Sequence, residues 1–250
     1  MANTSWSALG RLYRPVYDAL CGRSPHERPW HFQWLSTLHL HKRLCALLAG
    51  YGGRVLDVGC GDKPYRAWFG AVSEYVGIDV APGPAVDIVV TQGEPWPLPD
   101  GHYDVVLSTQ VIEHVDNLEF ALAQITRVLK PGGLVILSFP FLYNVHGAPF
   151  DYRRFTHYGA GKLLPGYEIL HLETQGGIGS TLVILLLNWI DAALSGSVIP
   201  RILKGLLLPV FVVLSLLLNL IGLALDAIDR TASFYSNVLL VVRKQRMCAS

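Results

Sequence analysis

The chain has 250 residues, 20 Lys and Arg against 19 Asp and Glu, and a formal net charge of +1. No cluster of basic residues is interleaved with aromatics, which argues against a nucleic-acid partner. The length suffices for one catalytic domain with a substantial core plus an addition, and no internal repeat is visible.

Cys21, Cys45, Cys60 and Cys248 form neither a Cys-x-x-Cys pair nor a disulfide-like pattern, as expected in a reducing compartment. The N-terminal stretch lacks a continuous apolar core and holds Arg11, Arg14, Asp18 and Arg23, so it does not read as a secretory signal. Trp6, Leu9, Leu12, Tyr13, Val16, Tyr17 and Leu20 have helical spacing. After Pro25, Pro29 and Trp30, a second helix is expected over 32–48, the pair forming a cover over 1–49.

The run Val55-Leu56-Asp57-Val58-Gly59-Cys60-Gly61-Asp62 is then followed by Tyr75-Val76-Gly77-Ile78-Asp79. A buried strand ending in Gly-x-Gly turns tightly and can bring backbone N–H groups against a ligand, while the later acid accepts hydrogen bonds from ribose hydroxyls. A dinucleotide fingerprint needs a third glycine where this chain has Pro64, and a pyrophosphate gives Asp57 no task. Asp57 suits instead a cationic ligand bearing an amino acid group. The stretch resembles motif I of the class I S-adenosylmethionine (SAM) methyltransferases, and the resemblance implies that Asp57 lies close to the methionine ammonium, directly or through water.

Further segments follow in order: an apolar run over 86–90, a proline-rich link over 92–101 and a strand over 103–108. Glu113-His114-Val115 precedes a helix marked by Leu118, Leu122, Ile125, Val128 and Leu129. Lys130-Pro131-Gly132-Gly133 stops that helix, and a strand over 134–139 comes next. Strands alternating with helical segments imply parallel βαβ units with helices on both faces.

The phrases from Pro99-Asp100-Gly101 to Gly133 are similar to the methyltransferase branch that includes quinone-biosynthesis and polysaccharide-pathway enzymes. The resemblance covers roughly 50–175 and returns near the C-terminus. It implies an α/β, Rossmann-like, doubly wound, mostly parallel seven-stranded sheet with the last strand antiparallel, and a SAM cofactor. The residues expected to bind it are Asp57, Gly59, Cys60, Gly61, Asp79, Val80, Gln92, Gly93, Ser108 and Gln110. Gln92 stands where many relatives carry an acid for the adenine amine, and its amide oxygen accepts the same hydrogen bond.

Residues 205–225 carry no charged side chain and as a helix would span about 30 Å, enough to cross a bilayer. A shorter apolar stretch over 178–190 precedes them, and a polar break with Ser195, Pro200, Arg201 and Lys204 lies between. The strands expected on either side, 167–172 and 237–244, form an antiparallel pair in the family, so both ends of the insertion would lie on one side of any membrane. A single crossing is then excluded, leaving a hairpin or a monotopic anchor; packing on protein, including a homodimer through the insertion, is the alternative. The expected organisation is 1–49 cover, 50–177 SAM-binding domain, 178–234 membrane-associating insertion and 235–250 final strand and tail.

The loop 140–156 follows the strand that ends at Phe139, where an acceptor would meet the methyl group. His146 is the first candidate base and His114 the second, with Asp151 orienting the base and Arg153 or Arg154 holding an acidic group. The bland readings are an Asp151–Arg154 brace and a helix-capping His114. His39 and His41 form no metal-ligand pattern, and no metal is expected. The expected activity is SAM-dependent methyl transfer to a small-molecule, lipid-linked or saccharide acceptor at the cytoplasmic side of a membrane, with membrane lipid as a partner. An NAD-dependent oxidoreductase or epimerase and a silent membrane-anchored scaffold are the competing readings.

Overall fold

The structure, a computed structural model, describes residues 24–195 and 203–246. The first expected helix and most of the polar break lie outside the described residues. The chain divides into two compact units, one of 42–175 with 236–250 and one of 1–41 with 176–235.

The first unit is built on seven strands: β1 Gly53–Val58, β2 Val72–Asp79, β3 Ile88–Val89, β4 Tyr103–Thr109, β5 Leu129–Pro140, β6 Tyr167–Gln175 and β7 Asn237–Lys244. Their order is β3-β2-β1-β4-β5-β7-β6, with β7 antiparallel to both neighbours and the other pairings parallel. The middle of the sheet is apolar along its length because it is covered on both faces. Val55, Leu56, Val106, Leu107, Val135, Ile136 and Leu137 are all fully buried. The expected Rossmann-like sheet is therefore present, with the insertion between β6 and β7.

Two local expectations are corrected. The links between parallel strands are poorer in helix than expected: β1 to β2 holds one 3-10 turn, Arg66–Trp68, and the longest helix in these links, among the described residues, is Leu118–Val128, between β4 and β5. Pro64, Pro82, Pro84, Pro95, Pro97 and Pro99 crowd the other links and deny helices their backbone donors. Lys130-Pro131-Gly132-Gly133 does end that helix, yet β5 already begins at Leu129, paired with Tyr103, and the register shifts across this stretch.

The second unit holds an antiparallel pair, Ile178–Ala193 and Leu208–Ile228, here α4 and α5; α1 is Trp34–Leu48, α2 Leu118–Val128 and α3 the single turn His157–Ala160. At the start of α4, Ile178 N donates to Asp229 Oδ2 at 3.0 Å and Ser180 N to Asp226 Oδ1 at 2.9 Å. Two carboxylates thus satisfy orphan helix donors and face the positive end of the helix dipole. Gly179 and Gly222 let the two backbones meet, since a Cβ on Gly179 would overlap the Gly222 carbonyl. Asn219 Nδ2 donates to the carbonyls of Pro29 at 2.7 Å and His31 at 3.0 Å, and Phe32 packs on Phe211.

An 18-residue window of the 21-residue α5 reaches a mean hydropathy of 2.5, yet only 28% of that window is buried. Val210, Val213, Leu217, Leu220, Ile221 and Ile228 form a continuous apolar stripe that is more than half exposed. A core helix of a soluble protein would bury that stripe.

Candidate functional site

At the end of β1 the chain enters the left-handed region, with Gly59 at φ 72° and Gly61 at φ 47°. Glycine takes such angles without strain. A Cβ on Gly59 would overlap the Val111 methyl groups, whereas one on Gly61 would meet open space. The amides of this bend are used within the fold. Gly59 N and Cys60 N donate to Ile78 O at 2.8 and 3.1 Å, and Gly61 N donates to Asp79 Oδ2 at 3.1 Å. The expectation that these N–H groups face a ligand is corrected: β2 runs in register as far as Val58↔Ile78 and presents its own acceptors to them.

Beside the bend lies a cavity of about 350 Å³. Of the expected cofactor residues, Gly59, Asp79, Val80, Gln92 and Gly93 line it, joined by His114. Trp96, Val111, Val115 and Phe120 complete its apolar wall; they sit in links and at a helix start, where periodicity gives no warning. Asp79 accepts from Gly61 N and, through Oδ1, from Ala81 N at 3.0 Å. Each of its oxygens keeps a lone pair for a ribose hydroxyl.

Five expected residues do not line this cavity. Gly61 instead anchors Asp79. Asp57 is 2% exposed and accepts a hydrogen bond from Tyr75 Oη at 2.7 Å through Oδ2. Burial pushes its pKa up to about 6. Cys60 is buried under Gly77, and burial and then Asp57 raise its thiol to about 11, leaving a small neutral side chain. Ser108 is fully buried in β4. Gln110 Nε2 donates to Ser138 Oγ at 3.2 Å and Asn237 Oδ1 at 2.8 Å, which fastens it to β5 and β7.

The Asp57 shift has a definite sign. Its folded pKa of about 6 lies above the ordinary 3.8, so the folded state holds the proton more tightly. The charge costs nothing below about pH 4, and its cost grows to on the order of 3 kcal/mol above about pH 6. Asp57→Asn is therefore expected to raise Tm near neutral pH, with the gain disappearing in acid; thermal melts across pH that show no such convergence would contradict the buried charge.

The loop after β5 gathers the expected chemical residues. Arg154 grips Asp151 with Nη1–Oδ1 at 2.5 Å and Nη2–Oδ2 at 2.7 Å, and Asp151 Oδ2 also accepts from His146 N at 2.8 Å. The guanidinium holds the Asp151 carboxyl well below the usual carboxylate range. Arg153 donates to the carbonyls of Val115 and Asp116. Both arginines thus brace the loop. Asn117, accepting from Phe120 N at 3.1 Å, caps α2, so His114 is not its cap.

His114 and His146, far apart in sequence, meet with Nε2 atoms 3.1 Å apart. Behind them stands Glu113, fully buried, with Oε1 3.8 Å from His114 Nε2 and 3.7 Å from His146 Nε2. Sequence reasoning gave Glu113 no role, although the Glu113-His114-Val115 phrase contains it. His146, Asp151 and Arg154 lie outside the cavity lining, and His114 is the link to it.

Residues 56–137 match the family model described as a methyltransferase domain. Over this region the chain is similar to the class I SAM-dependent methyltransferases. An uncharacterized methyltransferase of Mycobacterium sp. (strain KMS) is 39% identical over 123 residues, 44% of this chain and 47% of that protein. A ubiquinone biosynthesis O-methyltransferase of Cereibacter sphaeroides is 37% identical over 155 residues, 55% of this chain and 59% of its own length. The chain thus spans about half the length of the curated relatives it matches. Among solved structures, the [4+2]-cyclase SpnF superimposes with a TM-score of 0.52 at 21% identity, over 82% of this chain and 80% of the other; at that identity the likeness is one of fold alone. SAM is the cofactor of the methyltransferases this region matches, and the residues present fit its nucleoside part: Asp79 would meet the ribose diol, with Gln92 and Gly93 beside an apolar slot for the base.

Proposed function

We propose that this protein transfers a methyl group from SAM to an oxygen of a small, amphipathic acceptor held at the cytoplasmic face of a membrane. The observation that carries the reading is one cavity bordered by Asp79 and Gln92, with His114 in its wall. SAM supplies a sulfonium methyl group, whose carbon–sulfur bond breaks in line as the bond to the acceptor oxygen forms. The chain's part is to orient the nucleoside through Asp79, to exclude water with Trp96, Val111 and Phe120, and to activate the acceptor beside His114. We assign that activation to Glu113, His114 and His146 together, in place of His146 alone.

An oxygen acceptor is supported by the O-methyltransferase named among the relatives, which works in ubiquinone biosynthesis. The membrane is supported by the uncovered stripe of α5, and the hairpin form by its roots, since the insertion leaves β6 and re-enters β7 at the paired residues Gln175 and Asn237. Both roots then lie on one side of the bilayer, and α4, at 16 residues, is short for a crossing. We therefore favour a shallow, monotopic or re-entrant seat. Free Cys45 and Cys60 suit the cytoplasmic side.

The test titrates the purified full chain with SAM and with NAD, then compares lipid and saccharide extracts by mass spectrometry with and without the gene. The expected outcome is micromolar SAM binding and a product one methylene heavier than its precursor. NAD binding without SAM binding would overturn the proposal.

A further inference from the structure

We propose that Glu113, His114 and His146 hold a divalent transition-metal ion. His114 Nδ1 lies 2.6 Å from Phe150 O, and His146 Nδ1 lies 3.4 Å from both Asp151 Oδ2 and Asn144 O. These neighbours only accept, which in a neutral ring favours the proton on Nδ1 and turns each Nε2 lone pair toward the other imidazole. Those two Nε2 atoms face each other at 3.1 Å. The contact is satisfied by a proton on one Nε2 or by a cation bound to both.

Glu113 points to the cation. Its side chain is completely buried, and neither carboxylate oxygen has a hydrogen-bond partner. An unpaired buried carboxylate is costly, and a cation within reach removes the cost. One atom from each of the three residues lies within 4.8 Å of the others. An ion with bonds of about 2.0 to 2.2 Å sets neighbouring ligand atoms about 3 to 3.5 Å apart. The nitrogens already have that separation, and the carboxylate needs a shift of a few tenths of an ångström.

The donor set selects the ion. Two imidazoles and one carboxylate suit Zn²⁺, Fe²⁺, Co²⁺ or Mn²⁺ rather than the all-oxygen partners of Ca²⁺ and Mg²⁺. Phe150 O and Asp151 play the orienting part that carbonyls and carboxylates play behind metal-bound histidines. The expectation of no metal centre, drawn from His39 and His41, did not reach this trio. Positions of the ion not taken by protein would open toward the cavity that His114 borders, where an acceptor oxygen bound to the ion would be acidified. This last role rests on the methyl-transfer reading; the metal site does not.

The test uses cobalt(II) on chelator-treated full-length protein in detergent, following its visible absorption, with SAM affinity measured on the same samples. One equivalent of cobalt is expected to bind, with affinity falling at least 100-fold in His114→Ala/His146→Ala and at least tenfold in Glu113→Gln, while His171→Ala binds like the wild type. Wild-type protein that binds no more cobalt than the double variant overturns the site. Cobalt binding without SAM binding would instead overturn the methyl-transfer reading and leave the site standing.

Discussion

Replacing Leu214, Leu217, Leu220 and Ile221 together by glutamine is expected to detach the protein from lipid vesicles. These side chains are between 37% and 54% exposed in the hairpin, so their substitution removes little packing within the unit. In lipid each would bury the remaining apolar area for about 1 kcal/mol, and the four together for about 4 kcal/mol, close to a thousandfold in partition. Flotation on phospholipid vesicles measures it: the wild type rises with the lipid and the variant stays below, with SAM affinity unchanged because the cofactor residues belong to the other unit. Wild-type protein that stays in the aqueous fraction as a dimer without detergent would assign the stripe to a second copy of the chain and end the lipid reading.

What the sequence made legible divides along a physical line. Backbone-driven features were readable: the buried runs at Val55–Val58 and Val105–Leu107, the glycine bend, the helix stop at Pro131 and the uncharged stretch in α5 all follow from properties of neighbouring residues. Asp79 was expected from its place at the end of the second strand and Gln92 from the family resemblance, and both line the cavity. What Asp57 touches is decided outside its own segment. Tyr75, on the neighbouring strand, reaches across and takes its carboxyl, and only the pairing of β1 with β2 brings the two together. Arg154 similarly takes Asp151, the alternative the sequence had offered as a brace. The meeting of Glu113, His114 and His146 was not visible, because it joins the turn after β4 to the loop after β5 through tertiary structure alone. The pattern of single residues there showed two candidate bases and missed that they face each other.

The bend offers the sharpest test of the site. Gly59→Ala and Gly61→Ala look alike in sequence, yet they are expected to differ strongly. Both put an L residue in the left-handed region, at about 1 to 2 kcal/mol each. At Gly61 that is the whole effect, since the new methyl group meets nothing within 4 Å. At Gly59 the methyl group also drives into Val111, adding about 1 to 3 kcal/mol of overpacking and displacing two residues that line the cavity. With roughly 2 to 4 °C per kcal/mol for a chain of this size, Gly61→Ala should lower Tm by about 2 to 8 °C and Gly59→Ala by about twice as much. SAM affinity should fall more than tenfold only in Gly59→Ala. Adding Val111→Ala to that variant relieves the overlap and should recover part of the lost Tm, a coupling that separates the clash from the backbone strain. Equal effects of the two single variants would mean that Val111 yields freely and that the bend does not depend on its contact with the turn after β4.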